Sequence, residues 1–342
     1  MSDPSPCALE IRDLRVTFQT EEGLLPAVDG VSLTLNRGKV LGIVGESGCG
    51  KSVTAYSVLR LIRPPGKIAG GEIRFYPADG TAPVDIAALD EKSDQLYKVR
   101  GGYISMIFQE PMTALSPVHT IGNQICEAIL LHQAVTTAEA RVEAIQMLTR
   151  VGIPGAERRI DQYPHELSGG MRQRAVIAMA LVCRPEILIA DEPTTALDVT
   201  IQAQILKLIK DLQQELGTSV AFITHDLGVV AQMADEVAVM YLGRVVEWGP
   251  VREVLRSPLH PYTISLLKSL PASSSRGDRL PAISGSVPSL TQIPAGCPFH
   301  PRCPHAEPGR CDVGSPPESR SFRGNRTAAC LRVEEIEEVS PL

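Results

Sequence analysis

Two groups of residues in this 342-residue chain can do chemistry together. The first is Gly45-Glu46-Ser47-Gly48-Cys49-Gly50-Lys51-Ser52, which fits G-x-x-x-x-G-K-[ST]. Glycines permit a tight loop whose N–H groups wrap phosphate oxygens. The lysine neutralises β- and γ-oxygens and the serine hydroxyl ligates Mg²⁺. Cys49 contributes only its backbone. The second group runs from Leu167 to Asp198. Ser168 suits a helix N-cap, and Gly169 and Gly170 leave the first-turn amides bare, an arrangement that receives anions. The apolar run Ile187–Ala190 then reads as a strand buried on both faces, delivering Asp191 and Glu192 to its carboxyl end. One carboxylate there can hold Mg²⁺ while the other polarises a water. Either half alone reads as well as a buried strand with a solvated acidic turn; the pair, in this order, points to a nucleoside triphosphate.

Three further residues sit where expected elements would bring them to the same sheet edge. Gln109 follows a strand over Tyr103–Phe108 and can reach metal or the attacking water. His225 follows a strand over Ser219–Thr224 and suits a γ-phosphate contact. Phe18, 27 residues before Gly45, can stack on a purine ring, although one aromatic in a strand is more often core.

A third cluster stands apart. Cys7, Cys49, Cys126 and Cys183 are scattered, whereas Cys297, Cys303, Cys311 and Cys330 crowd the last 46 residues as C-x₅-C-x₇-C-x₁₈-C. That spacing lacks the short C-x₂-C pairs of common zinc modules. Four thiolates suit Zn²⁺, with His300 and His305 as substitute ligands, or a [4Fe–4S] cluster, and spacing does not decide between them. The segment has few large apolar residues, so a metal would supply order. The expectation is a site outside the nucleotide fold, separable from it.

Elements that alternate strand and helix must position these groups, which is an α/β reading. Residues 8–36 alternate as half-buried antiparallel strands, Val40–Val44 is a buried strand leading into the loop, and Glu72–Tyr76 is another strand. Residues 116–163 turn helical and interrupt the alternation, as an inserted lobe does. Ile201, Ile205, Leu208, Ile209, Leu212 and Leu216 share one helix face, closed by Gly217. Strands over Val237–Tyr241 and Val245–Trp248 complete the expected sheet. Residues 250–270 add helices around His260-Pro261-Tyr262, and 271–296 form a Pro/Ser/Gly-rich arm.

Composition narrows the classes. Hydrophobic content of 44%, charge of 21% and aromatics of 4% fit a soluble protein with an aliphatic core. A net charge of −6 gives no footprint for nucleic acid. The N-terminus has no signal-peptide pattern, and no apolar run approaches the ~18–20 residues of a membrane span. A cytosolic chain keeps its thiols reduced, which favours metal over disulfides in the tail.

Gly45–Ser52, Gln109, Leu167–Gly170, Ile187–Glu192, Ala196-Leu197-Asp198 and His225 stand in the order of ATP-binding-cassette ATPases, which the chain resembles over residues ~8–270. More narrowly it resembles the ATP-binding subunits of dipeptide and oligopeptide importers. Phe108-Gln109-Glu110-Pro111-Met112, Asp198-Val199-Thr200, His260-Pro261-Tyr262 and the four-cysteine tail carry that likeness; importer ATPases for nickel and glutathione are near relatives.

The resemblance implies a P-loop NTPase fold with an antiparallel β subdomain. A cassette would span 1–270, with a helical subdomain at about 114–170 that docks on membrane subunits, and a peptide-importer extension would span 271–342. It implies that Gly45–Ser52 and Asp198 bind ATP, and that Ser168, Gly169 and Gly170 contact the γ-phosphate held by a second, related ATPase subunit. It further implies Mg²⁺ at Ser52, Gln109 and Asp191, Glu192 as base, His225 as γ-phosphate sensor, and a [4Fe–4S] cluster on the tail cysteines. Implied partners are that ATPase subunit, two permease subunits and, indirectly, an extracytoplasmic solute-binding protein, at the cytoplasmic face of the inner membrane. Two departures are Met171, where many members have glutamine, and Phe18, because many place the stacking aromatic where this chain has Thr20. A soluble cassette acting on ribosomes or DNA fits poorly with one cassette and an acidic balance. A small-molecule kinase would leave Ser168–Gly170 without a purpose.

Overall fold

A computed structural model of the chain describes residues 7–109, 114–195, 197–269 and 283–337. Glu110-Pro111-Met112, Ala196 and the first part of the 271–296 arm lie outside the described residues; from 283 to 296 the arm carries neither helix nor strand. The chain divides into two compact units. Described residues 7–9, 35–39 and 75–223 belong to the first, and 10–34, 40–74 and 224–337 to the second.

In the first unit, strands Ile104–Ile107, Ile187–Asp191 and Ser219–Thr224 run parallel, with Ile104 opposite Ile187 and Ile187 opposite Ser219. Every residue of the three strands is buried. That explains why their sequences are unbroken apolar runs rather than alternating ones. The expected helical lobe is present as Ile121–His132, Thr137–Arg150 and Ala156–Arg159. Thr120 caps the first of these, accepting from the Asn123 N–H, and Thr136 with Glu139 forms a capping box on the second. Ile121, Ile125, Ile129, Ala144 and Leu148 are buried within the lobe. Helix Gly169–Leu181 follows, with Val182 at its C-terminal end. Helix Val199–Leu216 starts on the Asp198 side chain, which accepts from the Ile201 N–H at 2.9 Å, and ends on Gly217.

The second unit holds most of strands Cys7–Thr20, Gly23–Asn36 and Gly66–Phe75, the last beginning six residues earlier than expected. Val40–Val44 runs parallel to Glu236–Tyr241, which pairs antiparallel with Arg244–Pro250. The sheet does not end there, as the sequence reading had it. Arg326–Ala328 adds to Arg244–Pro250, with Thr327 opposite Trp248, and Arg320–Phe322 adds to Arg326–Ala328. The tail also shares the unit's core, because Phe299 is 1% exposed in one cluster with Val44, Val239, Tyr241 and Tyr262. Burying such a ring contributes about 1.5–3 kcal/mol. The expectation that the cysteine segment lies outside the nucleotide fold is therefore corrected: poor in large apolar residues, it borrows the sheet's core.

Candidate functional site

In the second unit the chain leaves strand Val40–Val44, turns through residues 45–50 and enters helix Lys51–Val58. The turn has no room for side chains. A Cβ on Gly45 would stand 2.2 Å from the Met240 carbonyl oxygen and 2.7 Å from Cys49 Sγ, so only glycine fits. Gly48 is needed for a different reason, a φ of +79° with open space around it. Lys51 is buried, and its ammonium donates to the Gly45 carbonyl at 2.7 Å and the Glu46 carbonyl at 3.0 Å. The lysine is thus folded back over the loop that its sequence spacing placed it beside. Burial pushes the Cys49 thiol up in pKa against the pull of Lys51, so it stays neutral and contributes packing. Ser47 and Gly48 are exposed, and Ser52 is half-buried in the helix's first turn.

Two other expected residues fall in this unit. His225 is exposed immediately before the Asp226 cap of helix Leu227–Met233. Phe18 is half-buried, with its ring 2.5 Å from where a Cβ on Gly66 would stand. It packs over that glycine.

The first unit holds the remaining expected residues. Asp191 ends its strand fully buried, and Glu192 follows at 9% exposure with a φ of +45°. A left-handed backbone at a non-glycine costs free energy and recurs at functional sites. Here it is held on both sides: the Glu192 N–H donates to the Ile223 carbonyl at 2.9 Å, and the Thr195 hydroxyl donates to Glu192 Oε2 at 2.9 Å. Gln109 is exposed two residues past Ile104–Ile107, the strand beside Ile187–Asp191. Adjacent parallel strands thus bring Gln109, Asp191 and Glu192 to one edge. Ser168 caps helix Gly169–Leu181, its hydroxyl accepting from the Met171 N–H at 3.4 Å, with Ser168 and Gly169 exposed. The Met171 departure is harmless to the cap, since only its backbone takes part.

The four tail cysteines come together. Cys297, Cys303, Cys311 and Cys330 line one small cavity of about 20 Å³, with His260, His300 and His305 also on its wall. Burial, reinforced by the neighbouring thiols, lifts Cys297 to about 12 and Cys303 to about 11. Such thiols remain protonated unless a cation binds them. Among the described residues no group of three or more His, Cys, Asp or Glu is arranged to hold a metal ion.

Sequence reasoning missed a set of residues that reach the phosphate loop from elsewhere in the second unit. The Tyr262 hydroxyl accepts from the Glu46 N–H at 2.9 Å. Arg302 grips the Glu46 carboxylate with both prongs, Nη1 to Oε2 at 2.6 Å and Nη2 to Oε1 at 3.0 Å. Buried Glu247 accepts from the Leu259 N–H at 2.8 Å and the His260 N–H at 2.9 Å, fixing the start of helix Pro261–Lys268. The sequence placed His260-Pro261-Tyr262 among helices, but not the cap that His260 forms by accepting from the Tyr262 N–H, and nothing local marks Arg302.

Comparison with known proteins agrees with this geometry. The family model for ABC transporter matches residues 28–195, and that for the oligopeptide/dipeptide transporter C-terminal region matches 246–311. A putative peptide import ATP-binding protein of Brucella melitensis is 50% identical over 96% of this chain and 98% of its own length. The oligopeptide transport ATP-binding protein OppD of Salmonella typhimurium is 48% identical over 97% of this chain and 96% of its own. Among solved structures, a dimeric ATP-binding cassette in a post-hydrolysis state bound to ADP and Pi aligns with a TM-score of 0.62 at 29% identity. It covers 71% of this chain and 99% of that one.

Proposed function

This chain belongs to the ABC transporter ATPases that carry the oligopeptide/dipeptide transporter C-terminal region, and from that membership we propose that it powers a peptide importer by hydrolysing ATP. One observation carries the reading. The solved cassette covers 71% of the chain, whereas the peptide-import relative matches 96%, tail included.

On this reading Gly45–Ser52 hold the nucleotide's phosphates, and Phe18 stacks on its ring. Ser52, Gln109 and Asp191 hold Mg²⁺, which when bound neutralises charge on the β- and γ-phosphates. Glu192 takes the proton of the attacking water, and His225 meets the γ-phosphate. The strand edge that carries Asp191, and a Glu192 held at both its backbone N–H and its carboxylate, support the assignment of metal ligand and base. Ser168, Gly169, Gly170 and Asp198 serve the nucleotide bound by a second, related ATPase subunit, because a bare, exposed helix start is made to receive phosphate. The partners are that subunit and two integral membrane permease subunits, with a solute-binding protein beyond them. The chain lies at the cytoplasmic face of the membrane, and among the described residues no helix is long and apolar enough to cross one. The cassette spans 1–270, its lobe at about 114–170 docks on the permeases, and 271–342 form the extension.

The tail cysteines would hold a [4Fe–4S] cluster, which supplies cross-linking order and, when bound, a redox centre. The four thiols lining one cavity support a shared metal centre, and the likeness of the tail to peptide-importer ATPases favours a cluster over Zn²⁺. Import of nickel or glutathione by the same motor is the alternative substrate reading. Glu192→Gln tests the assignment: it should keep MgATP binding while turnover of the assembled transporter falls by about 10²–10⁴-fold. Near-normal turnover would remove Glu192 as base. Failure of a strain lacking the chain to take up labelled oligopeptide, with nickel and glutathione uptake intact, separates the substrates.

A further inference from the structure

A carboxylate inside a phosphate-binding loop is an electrostatic liability, because it repels the triphosphate that the loop's amides attract. Glu46 is such a residue, and its neutralisation comes from a distant part of the chain. Arg302 lies 256 positions later and is 4% exposed, against 27% for Glu46. A planar guanidinium paired with a carboxylate through two parallel bonds is both strong and directional. Its other contacts leave it little freedom. Arg302 Nε donates to the Ser284 carbonyl at 3.1 Å, and its guanidinium carbon lies 5.8 Å from the Tyr241 ring centre and 6.0 Å from that of Phe299. Those two rings meet edge-on at 5.3 Å, and Tyr262 lies 4.7 Å from Tyr241. The Tyr262 hydroxyl in turn accepts from the Glu46 N–H. One aromatic box therefore aims two groups at one loop residue, gripping its side chain and its backbone.

We infer that Arg302 and Tyr262 are positioning residues for nucleotide binding. Arg302 neutralises Glu46, and with Tyr262 it fixes the first turn of the phosphate loop, so the tail completes the nucleotide site. The inference rests on the reading of Gly45–Ser52 as the phosphate loop.

The test measures MgATP affinity of the full chain by calorimetry for Arg302→Gln, Glu46→Gln and the double variant, with Lys51→Ala alongside. Arg302→Gln alone leaves the carboxylate uncompensated, and the dissociation constant should rise about tenfold. In the Glu46→Gln background the same change should matter less than twofold, because no charge remains to neutralise. Arg302→Lys keeps the charge without the fork and should fall between wild type and Arg302→Gln, as should Tyr262→Phe. Equal losses from Arg302→Gln in both backgrounds would show that it acts only by folding the tail, and would overturn the inference, as would no loss at all. Lys51→Ala should abolish tight binding. Wild-type affinity in that variant would instead overturn the phosphate-loop reading itself.

Discussion

Adding one methyl group at Gly45 or at Gly48 should have very different consequences. At Gly45 the new Cβ would stand 2.2 Å from the Met240 carbonyl oxygen, more than 1 Å inside ordinary van der Waals contact. Met240 cannot retreat cheaply. Its strand pairs with Val40–Val44 on one side and, through Met240 opposite Val245, with Arg244–Pro250 on the other. Forcing an atom into a packed site costs about 1–3 kcal/mol even where side chains can yield. A clash against laddered backbone should lie at or above the top of that range. At Gly48 nothing lies within 4 Å of the Cβ, and the penalty is only the left-handed backbone at φ +79°, about 1–2 kcal/mol. Urea unfolding of the two alanine variants checks this. Gly48→Ala should shift the midpoint slightly, and Gly45→Ala should shift it by at least twice as much or fail to accumulate folded protein. Equal midpoints would mean that the approach of Gly45 to Met240 is not a constraint in the protein.

Three further outcomes are expected. Glu247 is fully buried, and burial lifts it from 4.5 to about 7; because the folded value is the raised one, its stability contribution is complete below pH 4.5 and is lost as pH rises through about 7, to the extent of roughly 3 kcal/mol at 1.36 kcal/mol per unit. Urea midpoints of wild type should therefore fall between pH 5 and pH 8 more steeply than those of Glu247→Gln, and parallel slopes would count against it. Anaerobically purified protein should be brown with about four irons per chain, and Cys303→Ser should lose the colour; colourless protein with stoichiometric zinc would rule the cluster out. If the Ser168 end and the phosphate loop serve different nucleotides, as proposed, a verified monomer should hydrolyse ATP slowly, and full turnover at monomer concentrations would refute the two-subunit reading.

Much of the site was legible because its signals are local. Ser168, Asp198 and Gly217 act within a turn of their own helices, and Ile187–Asp191 is a run of one burial class. The phosphate loop announces itself because Gly45 and Gly48 meet steric demands that no other residue type meets. What escaped is non-local. Arg320–Phe322 and Arg326–Ala328 are three residues each, too short to show an alternation; Arg326–Ala328 pairs with the edge of Arg244–Pro250, and Arg320–Phe322 pairs in turn with Arg326–Ala328. Arg302 reads like any surface arginine in a proline-rich tail until Glu46 is seen within its fork. Glu247 reads as a lone polar residue in its strand, yet a register shift there buries it beside Val246, where it holds the turn before Pro261.

The distance along the chain between Glu46 and Arg302 also sets an order in time. A ribosome adding about 5–20 residues per second needs roughly 13–50 s to travel the 256 positions between them. Throughout that interval the nascent phosphate loop exists without the side chain that neutralises it and without the strands that extend its sheet. Local elements such as helix Val199–Leu216 can form early, but the loop acquires its grip only once residue 302 has been added. On that inference full nucleotide affinity waits on the segment that carries Arg302, and a chain cut short before it would lack the grip on Glu46.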